Sequence, residues 1–160
     1  MPRQDVASTH AQPLVIFSHG NSFPASTYRV MLDDVRRRGF AVQALEKFGH
    51  NPDFPVTSNW SHLVEELLAF AQPLALQHAG PVYLVGHSLG GILSLMASAR
   101  APQLAQGVVL MDSPVLGGWL AKMVGVAKHI PMAERFSPGA ISRHRRQQWL
   151  NEAEALAHFQ

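Results

Sequence analysis

Cysteine is absent from the 160 residues. That excludes disulfides and thiolate metal sites and suits a reducing compartment, so the cytoplasm is the expected location. Charge is scarce as well: Asp, Glu, Lys and Arg make up 15% of the chain against 47% hydrophobic residues, the balance of a packed domain rather than a disordered tail. The net charge is only +2. Its basic side gathers in Arg36, Arg37 and Arg38 and again from Arg143 to Arg146, two clusters too small and too separate for a nucleic-acid face. Long apolar runs are missing: no segment nears the ~18 uninterrupted residues of a membrane span. Met1 to Pro13 carries Asp5 and lacks the apolar core of a secretory signal. The nine histidines are scattered, with no H-E-x-x-H and no i, i+4 pair, so no metal site is expected. A chain of this length is expected to form one domain.

What is present is an alternation of strand and helix signals. Leu14-Val15-Ile16-Phe17 is a short apolar run ending at Ser18-His19-Gly20, the mark of a strand buried on both faces. Tyr28, Met31, Leu32 and Val35 then supply one helical face. Arg36 to Arg38 complete its last turn, and Gly39 sits at the expected stop. Phe40 to Leu45 reads as a second strand. Gly49 to Ser58, with Pro52 and Pro55, is a loop, and Asn59 or Ser61 is placed to cap the helix that Trp60, Leu63, Val64, Leu67, Leu68 and Ala71 outline. Pro73 is expected to kink or interrupt that helix before Gly80-Pro81 ends it.

Val82 to Val85 is a third strand, Gly90 to Arg100 a third helix and Val108 to Met111 a fourth strand, a succession that implies a mainly parallel sheet. After Pro114 the texture changes. Leu116, Trp119, Leu120, Met123 and Val124 form one amphipathic pattern, a second runs from about Gly139 past Trp149, Leu150 and Leu156, and no further strand is expected. Trp119, Met123, Phe136 and Trp149 suit packing, an apolar cleft, or both. Arg143 to Arg146 reads as a solvated helical face.

The stretch Tyr83-Leu84-Val85-Gly86-His87-Ser88-Leu89-Gly90-Gly91-Ile92 sets G-x-S-x-G between a buried strand and a helix. A sharp strand-to-helix turn there would lift Ser88 into an exposed, strained position, with glycines keeping neighbouring Cβ atoms clear. At a helix N-terminus the local dipole favours an alkoxide-like nucleophile and the oxyanion that follows its attack. The same composition also suits a plain tight turn or a phosphate cradle, although neither G-K-[ST] nor G-x-G-x-x-G is present. Acyl transfer needs two backbone N–H donors. Leu89, directly after the serine, would supply one, and the loop Phe17-Ser18-His19-Gly20-Asn21 would supply the other from Asn21 or Ser22.

Together, His19-Gly20-Asn21, Gly86-His87-Ser88-Leu89-Gly90-Gly91 and Val109-Leu110-Met111-Asp112-Ser113-Pro114 resemble the α/β-hydrolase fold family in order and spacing. The resemblance covers nearly everything from Leu14 onward. It implies that family's third to sixth strands in spatial order 4-3-5-6, helices on both faces of a four-stranded, mainly parallel sheet, and part of a helical cap. The expected divisions are a tail over 1–13, a core over 14–114 and a cap segment over 115–160. The resemblance also implies a Ser-acid-His triad, no cofactor and a small-molecule substrate, an apolar ester above all.

The sequence departs from the family pattern in lacking two strands before the His-Gly loop and two after the cap, along with the loops that carry acid and histidine. It therefore reads as a truncated gene product, or as one completed by something else, with the triad histidine beyond Gln160. Asp112 is the candidate acid, a position that some members of the family use and that otherwise caps a loop. No convincing base emerges among His19, His87, His129, His144 and His158. The expected activity is that of a serine-dependent, esterase-like acyl hydrolase, feeble or nil in this chain alone. The alternatives are an acyltransferase and a non-catalytic or partner-dependent module binding a small apolar ligand. Sheet edges left open would also invite homo-oligomers.

Overall fold

A computed structural model describes residues 11–57, 59–114 and 149–158. The chain divides into two compact units, Met1–Val115 and Leu116–Gln160. In the first, four strands form one sheet: β1 (Leu14–Ser18), β2 (Ala41–Ala44), β3 (Val82–His87) and β4 (Gly107–Met111). Every pairing is parallel and the spatial order is β2-β1-β3-β4, the expected 4-3-5-6 arrangement. Helices α1 (Arg29–Arg37), α2 (Ser61–Gln77) and α3 (Leu89–Arg100) connect the strands.

All five residues of β1 are buried, because successive side chains of a central strand feed opposite layers. Leu14 and Ile16 join Val82 and Leu84 beneath Leu63, Val64, Leu67 and Ala71 of α2 and Leu93 and Ala97 of α3. Val15 and Phe17 turn the other way, to Val42 and to Leu32 of α1. The alternation along one strand thus makes two cores. Arg36 and Arg37 occupy the last turn of α1, and Gly39, at φ 92°, supplies the left-handed residue that ends it. The N-cap of α2 is Trp60, in a left-handed conformation, rather than Asn59 or Ser61, although the Asn59 side-chain oxygen accepts the Ser61 N–H at 3.2 Å from the position before it.

Of the two outcomes expected at Pro73, interruption does not occur. The helix runs unbroken from Ser61 through Pro73 to Gln77. Proline removes the hydrogen bond that would reach back to the Ala69 carbonyl, but Ala69 and Pro73 both lie on the exposed side, where water can satisfy that oxygen. Strand and helix limits shift slightly elsewhere: β2 is shorter than Phe40 to Leu45, β3 continues to His87, and α3 starts at Leu89.

In the second unit the described part is α4 (Glu152–His158). The pattern expected to run helically past Trp149 and Leu150 does not do so. The Asn151 side-chain oxygen instead accepts the Glu154 N–H at 2.9 Å and the Glu154 carboxylate accepts the Leu150 N–H at 2.7 Å, so the helix opens only after that exchange. The amphipathic stretch from Leu116 to Val124, with the residues from Gly139 to Gln148, lies outside the described residues, as does the 1–10 part of the tail. Among the described residues no helix is long and apolar enough to cross a membrane.

Candidate functional site

Ser88 occupies the corner between β3 and α3 with φ 52° and ψ −117°, a backbone conformation that side-chain-bearing residues rarely adopt. The corner is tied down from both sides. Ser88 N–H donates to the Met111 carbonyl of β4 at 3.0 Å, and the Ser88 carbonyl accepts from Gly91 N–H at 3.1 Å and Ile92 N–H at 3.3 Å. Serine is a preferred N-cap, yet this hydroxyl makes no capping hydrogen bond to its own helix. Two glycines make the corner sterically feasible. A Cβ on Gly86 would strike the backbone of Gly90 and Gly91, and one on Gly90 would strike the carbonyl oxygens of Ser18 and His19. The second clash shows how closely the loop after β1 lies against the first turn of α3.

That loop is held by His19. Its Nε2 accepts the Phe48 N–H at 3.1 Å, which leaves the proton on Nδ1 to donate to the Gly20 carbonyl at 2.8 Å. Burial pushes the imidazole below its ordinary value near 6.5, outweighing the Gly20 carbonyl and the more distant Glu46 and Glu66 carboxylates that favour the cation. His19 is thus a neutral brace with both nitrogens committed. Glu66, almost fully buried, fixes the neighbouring segment by accepting Gly49 N–H at 2.8 Å.

Beyond His19 and Gly20, Ser22 takes φ 66° and Asn21 turns outward. Asn21, Ser22 and Leu89 line one open hollow of about 470 Å³, together with apolar side chains that include Phe23, Phe48 and Trp60. The structure thereby brings the predicted Asn21 and Leu89 to the same space.

Asp112 follows β4 directly, is exposed, and takes φ 44°. In register, His87 pairs with Met111, so Ser88 and Asp112 are the next residues beyond the same rung of the sheet. Three of the non-glycine residues with positive φ, Ser22, Ser88 and Asp112, thus lie just past the carboxyl ends of neighbouring strands β1, β3 and β4. His129 and His144 lie outside the described residues, while His87 Nδ1 sits 2.7 Å from the Tyr28 hydroxyl. Among the described residues no group of three or more His, Cys, Asp or Glu is arranged to hold a metal.

Sequence reasoning assigned no role to Tyr28, Phe48, His50 or Glu66. Tyr28 falls on the apolar stripe that continues along α1, and the others lie in or contact a loop whose path no periodicity encodes.

The sequence model of the alpha/beta hydrolase family matches residues 15–159. The chain belongs to the alpha/beta hydrolase family. Among curated alpha/beta hydrolase relatives, a monoglyceride lipase homolog of Monkeypox virus is 24% identical over 146 residues, covering 84% of this chain and 53% of the viral protein. Monoglyceride lipase of Rattus norvegicus is 28% identical over 107 residues, covering 64% of this chain and 35% of the lipase. The chain thus spans about half the length of the first of these relatives, or less for the second. An epoxide hydrolase from Vigna radiata superposes with a TM-score of 0.56 at 21% identity, covering 81% of this chain and 43% of that one, a likeness of fold.

Proposed function

We propose that this alpha/beta hydrolase is a serine-dependent acyl hydrolase of esterase type, with Ser88 as nucleophile, the Asn21 and Leu89 amides as oxyanion donors and Asp112 as the acid of the catalytic group. The observation that carries the reading is the Ser88 corner: a non-glycine residue at φ 52° on a helix N-terminus, its hydroxyl withheld from capping. Backbone strain of this kind costs about 1–3 kcal/mol and persists where surrounding structure enforces it, as the Met111, Gly91 and Ile92 hydrogen bonds do here. Attack by the Ser88 oxygen on an ester carbonyl, with the hydroxyl proton given up to solvent water, would place negative charge on the carbonyl oxygen. Amides of Leu89 and Asn21, on the shared hollow, are the groups suited to receive it. The apolar lining supports an ester with an apolar acyl or alcohol portion. The kinship with lipases supports the same substrate class.

A fluorophosphonate probe tests this directly. Slow labelling of the folded chain that vanishes in Ser88→Ala is the expected result, since no histidine is assigned as base to this serine. Labelling that persists in Ser88→Ala would place the reactive group elsewhere, and a folded wild-type chain that takes no label would favour a module that binds an apolar ligand without acting on it.

A further inference from the structure

We propose that Tyr28 is a positioning residue that locks the oxyanion loop to the nucleophile corner through a single hydroxyl shared by Gly20 and His87. The proposal rests on the reading of Ser88 as nucleophile and names a part of its machinery outside the reacting groups. Gly20 N–H donates to the Tyr28 oxygen at 3.1 Å, and that oxygen lies 2.7 Å from His87 Nδ1. A phenol that has accepted from an amide has its own proton left to give. Directed at His87 Nδ1, that proton holds the imidazole in the tautomer protonated on Nε2. The two residues joined are each one position before the groups that matter: Gly20 precedes Asn21, and His87 precedes Ser88.

The join is close enough that Gly20 cannot carry a side chain. A Cβ there would stand 2.7 Å from His87 Nδ1 and 3.0 Å from the Tyr28 oxygen. Tyr28 is itself fixed by its neighbours, since its ring packs on Phe17 with centroids 4.8 Å apart and on His87 at 5.6 Å. A side chain at the junction of a 3-10 turn (Ala25–Tyr28) and α1 therefore spans from the end of β1 to the end of β3. Two consequences follow. The Gly20 amide is consumed by the phenol and is no oxyanion donor, which leaves that duty to the residues after it. The separation between the Asn21 loop and the Ser88–Leu89 corner is set by one hydroxyl, and oxyanion stabilisation depends on such donor placement to within tenths of an ångström.

The test measures the rate of fluorophosphonate labelling at Ser88 in the full chain for wild type, Tyr28→Phe, His87→Ala, the double variant and His87→Asn. Tyr28→Phe keeps the ring on Phe17 and removes only the hydroxyl, so a packing role predicts no change, whereas the lock predicts labelling slowed about tenfold, equivalent to ~1.4 kcal/mol. Tyr28→Phe and His87→Ala break the same link, so the double variant should be no slower than the slower single one. His87→Asn offers an amide oxygen near the position of Nδ1 and should label faster than His87→Ala. Gly20 amide hydrogen exchange should quicken in Tyr28→Phe.

Wild-type rates in Tyr28→Phe, or losses that add in the double variant, overturn the lock and leave Ser88 as nucleophile untouched. A folded wild-type chain without label overturns the Ser88 reading and the lock with it. Should Tyr28→Phe fail to fold, equal rates for His87→Ala and His87→Asn overturn the proposal on their own.

Discussion

His19 shows how a single side chain converts sequence into a measurable pH dependence. Its ring is clamped between Phe48 N–H and the Gly20 carbonyl and stays neutral because burial penalises the cation. A base whose proton affinity is lowered by folding binds fewer protons folded than unfolded, so protonation favours the unfolded chain. The stability tied to His19 is therefore fully present above about pH 6.5, the ordinary histidine value, and drains away as pH falls below it. One such group can contribute a slope of at most ~1.4 kcal/mol per pH unit. His19→Gln removes the titration while keeping an oxygen able to accept from Phe48. Urea unfolding at pH 7 and pH 5 should show a smaller acid-side loss in that variant than in wild type, and equal losses would assign the acid sensitivity to other groups. At this scale the sequence was partly legible. Ser88 declared itself because strand, G-x-S-x-G and helix lie consecutively, and its corner has the expected strained backbone. Tyr28 did not, because a tyrosine on an apolar stripe carries the same pattern whether its hydroxyl faces water or, as here, meets a histidine 59 residues further along the chain.

The elements themselves were legible where one force dominates. β1 and β3 were foreseeable because apolar runs buried by two layers admit little else, and the end of α1 because Gly39 permits the left-handed residue there. α2 was misjudged only as to interruption at Pro73, where the local rule holds but the cost falls on a solvent-facing carbonyl. The helix before Glu152 was misjudged for the opposite reason, since its periodicity is interrupted by side chains that bond the backbone. Pro73 remains a defect even though the helix passes through it. Alanine is about 3 kcal/mol more favourable than proline in a helix interior, while proline's restriction of the unfolded chain returns about 0.4–1 kcal/mol. Because Pro73 is exposed, no core contact is lost on replacement. Pro73→Ala should raise stability by about 2–2.6 kcal/mol, read as a higher urea midpoint at constant slope. A lower midpoint would mean that α2 relies on a bend that proline imposes.

For the Met1–Val115 unit as a whole, stability is divided unequally between two layers that share one sheet. The side covered by α2 and α3 holds Ile16, Leu67, Leu84 and Leu93, all fully buried, and draws its buried residues from two helices and the two central strands. The α1 side has a smaller nucleus of Val15, Phe17, Leu32 and Val42. Leu67 is enclosed by neighbours from both its own layer and the sheet, so truncation there leaves a cavity with little freedom to collapse, whereas Leu32 lies on a short helix that can settle inward. Leu67→Ala should cost about 4 kcal/mol and Leu32→Ala about 2–3 kcal/mol. The shared sheet dictates a second outcome. Alternate residues of β1 serve opposite layers, so neither core can open while the strand remains in register, and both variants should unfold in one transition. Urea curves followed by far-ultraviolet circular dichroism and tryptophan fluorescence should therefore coincide. An early fluorescence phase in Leu67→Ala, or a cost for Leu32→Ala equal to that for Leu67→Ala, would show that the layers are energetically independent or equivalent, against the division described.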